Sequence, residues 1–134
     1  MKVLVLTSEP INAEVLREAV GAEAAERAEV LVVAPALHQS GLRFWMSDAD
    51  EAIAKAEDVQ EEAVERLDEE GIDAAGHTGE SEPLLAIQDA LATFPADRIV
   101  VFSHPEGERA FAEEDVEAAQ ARFDVPVEHR IVTR

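Results

Sequence analysis

The sequence predicts an α/β fold: a three-layer, five-stranded parallel sheet in the order 3-2-1-4-5 with helices on both faces. Three observations predict it. Five short apolar runs recur along the chain. Amphipathic stretches of helical period lie between them. Strands alternating with helices require βαβ units with right-handed crossovers, and so a parallel sheet. The 134 residues fit a single domain over 1–134, which buries about two-thirds of its unfolded surface without staples.

The five runs are Lys2–Leu6, Glu29–Ala34, Ile72–Thr78, Arg98–Phe102 and Val127–Val132. The first, second and fourth are almost continuous Val, Leu and Ile, as strands buried on both faces are. The third and fifth alternate more and carry polar residues, which places them at the sheet edges. In this arrangement Leu4 and Val100 lie side by side in the middle of the sheet.

Four helical stripes separate the runs. The first is Val15, Leu16, Ala19 and Val20. The second is Ile53, Ala56, Val59, Ala63, Val64 and Leu67. The third is Leu84, Ile87, Leu91 and Phe94, and the fourth is Ala112, Val116, Ala119 and Phe123. Ser47 or Asp48 caps the second helix and Gly71 stops it. Pro83 suits the first turn of the third helix and Pro95 ends it. There is no internal repeat and no low-complexity tract. The least regular stretch is Pro35–Ser47, which holds the only tryptophan, in Phe44-Trp45-Met46. Packing is the leading reading of those three large apolar residues.

Composition narrows the function. The chain has no cysteine, so disulfides, thiolate metal sites and thiol nucleophiles are excluded. The formal net charge is −19, and Lys2 and Lys55 are the only lysines. Such a surface repels phosphate backbones and anionic lipids, so neither nucleic acid nor membrane is expected as a partner. The N-terminal apolar run ends at Thr7-Ser8-Glu9-Pro10, too short for a signal peptide or a membrane span. A cytoplasmic protein is expected.

In an open parallel sheet the ligand crevice lies outside the carboxyl ends of the strands, where strand order reverses. Here that is between strands one and four. Two loops matter there: Thr7-Ser8-Glu9-Pro10-Ile11-Asn12 and Ser103-His104-Pro105-Glu106-Gly107-Glu108-Arg109. Helix N-termini at such loops suit an anion. Gly107, Arg109, Ser103 and His104 fit a phosphate, whereas Glu106 and Glu108 repel one and Pro105 has no N–H to give. His104 invites an acid–base reading, yet no Ser or carboxylate is placed by spacing as its partner. His77 falls on the third strand, about 14 Å from the fourth at ~4.8 Å per strand, so the two histidines share no metal. His38 and His129 have no ligand-spaced partners. Acidic clusters such as Glu61-Glu62 and Asp68-Glu69-Glu70 read as solvated helix faces. No P-loop, dinucleotide fingerprint or EF-hand loop is present.

The ordered set of segments resembles the universal stress protein family over nearly the whole chain. Lys2–Thr7 is similar to the family's first strand. Gly79-Glu80-Ser81-Glu82-Pro83 followed by Ile87 resembles its Gly-acid-Pro opening of the third helix. Ala96-Asp97-Arg98-Ile99-Val100-Val101 resembles its Ala-Asp-x-Ile-Val lead into strand four, and Val125-Pro126-Val127 its lead into strand five. Leu42–Asp48, Thr93–Asp97 and Ser103-His104-Pro105 are similar to an actinobacterial branch of the family. The resemblance implies a Usp-like fold of the adenine nucleotide alpha hydrolase-like kind, with ATP or another adenine nucleotide as the ligand class. Members that bind ATP end strand one with an Asp; the matching place here is Ser8. Their Gly-x2-Gly-x9-Gly-Ser/Thr segment meets Ser103 and Glu106 beside Gly107, and its third Gly is missing. The residues left to line a site are Thr7, Ser8, Glu9, Ala34 through its backbone, Gly79, Ser103, His104 and Gly107.

Family members usually dimerise through the last strand, which here is Val127-Glu128-His129-Arg130-Ile131. A two-fold antiparallel pairing centred near His129 sets Glu128 opposite Arg130 of the other chain, which selects register more than it adds stability. The expectation is a non-enzymatic stress-response module that binds a small ligand or partner as a homodimer. The alternative is a nucleotide-binding protein or weak nucleotide hydrolase using the strand-one and strand-four loops. A phospho-receiver needs clustered Asp at strand ends and a Lys after strand five. Ser8, Thr78 and Thr133 occupy or neighbour those places and argue against it.

Overall fold

The computed structural model describes residues 2–7, 10–35, 48–79, 83–103 and 113–131. In chain order these form β1 (Lys2–Thr7), α1 (Ala13–Val20), α2 (Ala22–Arg27), β2 (Glu29–Pro35), α3 (Asp48–Glu69), β3 (Asp73–Gly79), α4 (Pro83–Thr93), β4 (Arg98–Ser103), α5 (Glu113–Arg122) and β5 (Val127–Ile131). The sheet order is β3-β2-β1-β4-β5 and every pairing is parallel. The order is the one the sequence predicts.

The continuous apolar runs occupy the three central positions, because only there are both faces of a strand covered. Val3, Leu4, Val5, Val32, Val33, Ile99 and Val100 are all fully buried. Alternation divides them between two cores. One lies under α1, α2 and α3 and holds Val3, Val5, Val30, Val32, Val100 and Phe102. The other lies under α4 and α5 and holds Leu4, Leu6, Val33, Ile99 and Val101. In detail Val100 sits beside Val5, and Leu4 beside Ile99, one position from the pairing expected. β3 begins at Asp73 rather than Ile72, whose side chain belongs to the core.

The helices match their stripes with three differences. The first stretch is broken in two. Gly21 takes φ 96 and ends α1, and the alanine-rich segment after it forms α2, which the apolar stripe did not reveal. Ile53 of α3 is 44% exposed, outside the core that takes Ala56, Val59, Ala63 and Leu67. On α4 the buried line is Ala86, Ile87 and Ala90, while Leu84, Leu91 and Phe94 pack at its margins. Alanines let that helix lie close to the sheet, which moves the larger side chains outward. Ala119 is buried on α5. The Ser47 cap, Ala112 and the Phe44-Trp45-Met46 loop lie outside the described residues, as does the Val116 side chain.

α3 ends where Gly71 was expected to stop it. The Ile72 N–H donates to the Leu67 carbonyl and the Gly71 N–H to the Asp68 carbonyl, both at 3.0 Å. With Gly71 at φ 79 this is the left-handed cap that satisfies the last carbonyls of a helix.

Candidate functional site

The two edges of the sheet are built differently. At the amino edge the chain is stitched shut. The Lys2 N–H donates to the Asp97 carboxylate at 2.8 Å, and the Asp97 N–H donates back to the Lys2 carbonyl at 2.7 Å. The Lys2 ammonium lies 5.6 Å from the centre of the Phe94 ring. Arg98, at the start of β4, ion-pairs with Glu128 of β5 and donates at 3.3 Å to the Ala19 carbonyl in the last turn of α1. These contacts fix β1, β4 and β5 where no ligand is expected.

The carboxyl edge carries the candidate residues. The register sets Thr7 beside Phe102, Ala34 beside Thr78, Pro35 beside Gly79 and Ser103 beside Ile131. Leu6 pairs with Val33, so Thr7 and Ala34 share the next row. Thr7, Gly79 and Ser103 thus end β1, β3 and β4, and Ala34 stands one residue before the end of β2, so the four share one rim, with β1 and β4 in contact where the connections reverse direction. Ser8, Glu9, His104 and Gly107 lie outside the described residues.

Thr7 is 0% exposed and is the one buried polar residue among those described. It has a polar partner, as burial of a hydroxyl requires. Ala34 packs its methyl group against Ala56 and Val59 of α3, which leaves its backbone as the part that can meet a ligand.

Charge at the rim works against a polyanion. The Asn12 side chain caps α1 by accepting from the Val15 N–H at 2.9 Å, and Glu14 stands in the first turn. The end of the α1 dipole is therefore already answered by groups of the chain itself. The sequence signal for this cap is an Asn directly before an apolar stripe. α5 also opens on acids, Glu113-Glu114-Asp115. His77 and His129 sit on opposite edge strands, and among the described residues no group of three or more His, Asp or Glu is placed to hold a metal ion. Among those residues no helix is long and apolar enough to cross a membrane.

Fold and rim together define an open, doubly wound α/β domain whose strand order reverses between β1 and β4, and the carboxyl ends of such strands are where folds of this kind bind ligands. The fold is that of the universal stress proteins. One universal stress protein from Archaeoglobus fulgidus superposes with a TM-score of 0.66 at 24% identity, covering 96% of this chain and 97% of its own. A structure of the universal stress protein from the same organism in complex with dAMP gives 0.65 at 23% identity, covering 96% of both chains. No family model matches the sequence, and no curated protein is detectably similar to it.

Proposed function

We propose that this chain is a universal stress protein-like module that acts in the stress response by binding a small ligand in the carboxyl-edge crevice, without chemical turnover. An adenine mononucleotide or nucleoside is the ligand class. The observation that carries this reading is the rim itself. A fold shared over 96% of the chain with a protein that binds dAMP sets Thr7, Ala34, Gly79 and Ser103 at the carboxyl ends of adjacent strands. Recognition of base and ribose fits this rim better than recognition of a triphosphate. The glycines that cradle phosphates are absent, and acids open both α1 and α5. Ser8, Glu9, Ser103 and His104 carry side chains capable of hydrogen bonding in the two loop sequences.

The module works as a homodimer through β5. That strand is a free edge, and Glu128 and Arg130 alternate along it. Arg98 holds Oε1 of Glu128, while Oε2 lies 3.4 Å from Arg130 of the same chain. Oε2 is therefore the atom that a second Arg130 would share. Light scattering at high micromolar concentration returns a dimer on this reading and a monomer against it.

The ligand reading is tested by calorimetry, with Trp45 fluorescence alongside, using adenosine, AMP, dAMP, ADP and ATP with and without magnesium. The expected result is binding of AMP or dAMP at least as tight as that of ATP, with no product formed. Absence of heat with every adenine compound refutes it. ATP turnover that disappears in His104→Ala replaces it with the hydrolase reading.

A further inference from the structure

β3 is an edge of the sheet, paired with β2 from Asp73 to Gly79, and among the described residues no strand pairs with its other side. An edge strand presents a row of unpaired backbone N–H and C=O groups. Proteins usually blunt such a row with proline, lysine, a bulge or an inward charge. β3 carries neither proline nor lysine, and its register runs unbroken over seven pairs. Ala75, Gly76 and His77 are exposed. β5, the other edge, is shorter and has its Glu128 and Arg130 engaged in ion pairs.

An open groove lies between this bare edge and α3. Gln60, Glu61, Val64, Glu65 and Asp68 form its wall, and Gly76 its floor. Glu61, Glu65 and Asp68 are spaced i, i+4, i+7, so they form one line along the helix. None of the three makes an ion pair among the described residues. A Cβ at position 76 would overlap the Gln60 amide, so glycine keeps the floor low where the helix crosses the strand.

We propose that the β3 edge and this groove form a docking site for an extended basic segment of a partner protein. The segment adds a sixth strand, about 4.8 Å beyond β3. Its main chain pairs with β3, and every second side chain, a Lys or Arg, turns toward α3. Those cations recur about every 6.7 Å along a strand, while the carboxylates recur about every 4.5–6 Å along the helix, a match close enough for flexible side chains. Strand pairing gives the affinity and the carboxylate line selects the basic partner. The net charge of −19 steers it in. This site is separate from the carboxyl-edge crevice and does not depend on the nucleotide reading.

The test uses the full chain and four nine-residue peptides. One alternates Lys with Thr or Val, two are the same peptide with alternate backbone amides methylated, one in each register, and a fourth has Glu in place of Lys. Calorimetry and amide chemical shifts are read together. The Lys peptide is expected to bind, with shifts centred on residues 73–78 and 60–69. Methylation in the pairing register is expected to weaken it about tenfold, and the Glu peptide not to bind. Combined Glu61→Gln, Glu65→Gln and Asp68→Asn should also cost about tenfold, with the sheet's amide spectrum preserved. Equal binding of Lys and both methylated peptides, or shifts spread over all the acidic helices, would mean bulk attraction to an acidic surface and would overturn the proposal. So would shifts confined to β5.

Discussion

Gly71→Ala isolates one energetic term. Gly71 closes α3 at φ 79, and a Cβ added there meets nothing within 4 Å. No packing is gained or lost, so the cost is that of holding an L-residue in left-handed backbone, about 1–2 kcal/mol. Stiffening the unfolded chain opposes the change and contributes to the same balance. A net loss of about 1 kcal/mol follows. Asn tolerates this conformation better, so Gly71→Asn should cost roughly half as much. Urea unfolding followed by circular dichroism measures both. With a slope of about 2 kcal/mol per molar, the midpoint for the alanine variant falls by about 0.5 M and the slope stays unchanged. Gly76→Ala is the contrast. Its backbone is ordinary, and the added methyl collides with the Gln60 amide and approaches Val64 Cγ2 to 3.1 Å. Any cost there should shrink in a Gln60→Ala background, whereas the cost at Gly71 should not. A neutral or stabilising Gly71→Ala, with Asn no better than Ala, would refute the left-handed cap.

Three further outcomes follow from the packing and charge. Phe102 is the largest fully buried side chain among the described residues, and Phe102→Ala should cost about 3–5 kcal/mol, against less than about 0.5 kcal/mol for exposed Asp58→Ala; urea midpoints decide. Arg98→Met keeps the aliphatic stem but removes both the ion pair to Glu128 and the bond to the Ala19 carbonyl. It should cost about 1–2 kcal/mol, and a cycle with Glu128→Gln should show positive coupling between the two positions. Raising NaCl from about 20 mM to about 0.5 M should raise the melting temperature by roughly 5 °C, because screening relieves the self-repulsion of 19 net negative charges; a flat or falling melting temperature would show that repulsion is not limiting.

The sheet was legible in the sequence for a physical reason. Lys2–Leu6, Glu29–Ala34 and Arg98–Phe102 are apolar on both faces, and only central strands of a parallel sheet bury both. The edges showed themselves by their polar residues. α2 was not visible because six residues of mostly Ala and Glu carry helix propensity without a stripe. The Arg98–Glu128 pair was not visible either, since it joins residues 30 apart that meet only after α5 has crossed back. Ile53 misled because its spacing fits the core line of α3, yet it is exposed while Ala56 and Val59 further along are buried. At the candidate site, the strand ends Thr7, Ala34, Gly79 and Ser103 could be placed from strand pattern alone. The loop residues Ser8, Glu9, His104 and Gly107 follow no period, so pattern gives them a location in the chain but no geometry.

The most direct test of the account is an amide chemical-shift map of the full chain titrated with AMP. The account predicts shifts at Thr7, Ala34, Gly79 and Ser103 and silence at Lys2, Asp97 and Arg98 on the opposite rim. Saturable binding that perturbs the Lys2–Asp97 rim, or the β3 edge alone, would contradict the placement of the crevice at the carboxyl ends of β1 and β4.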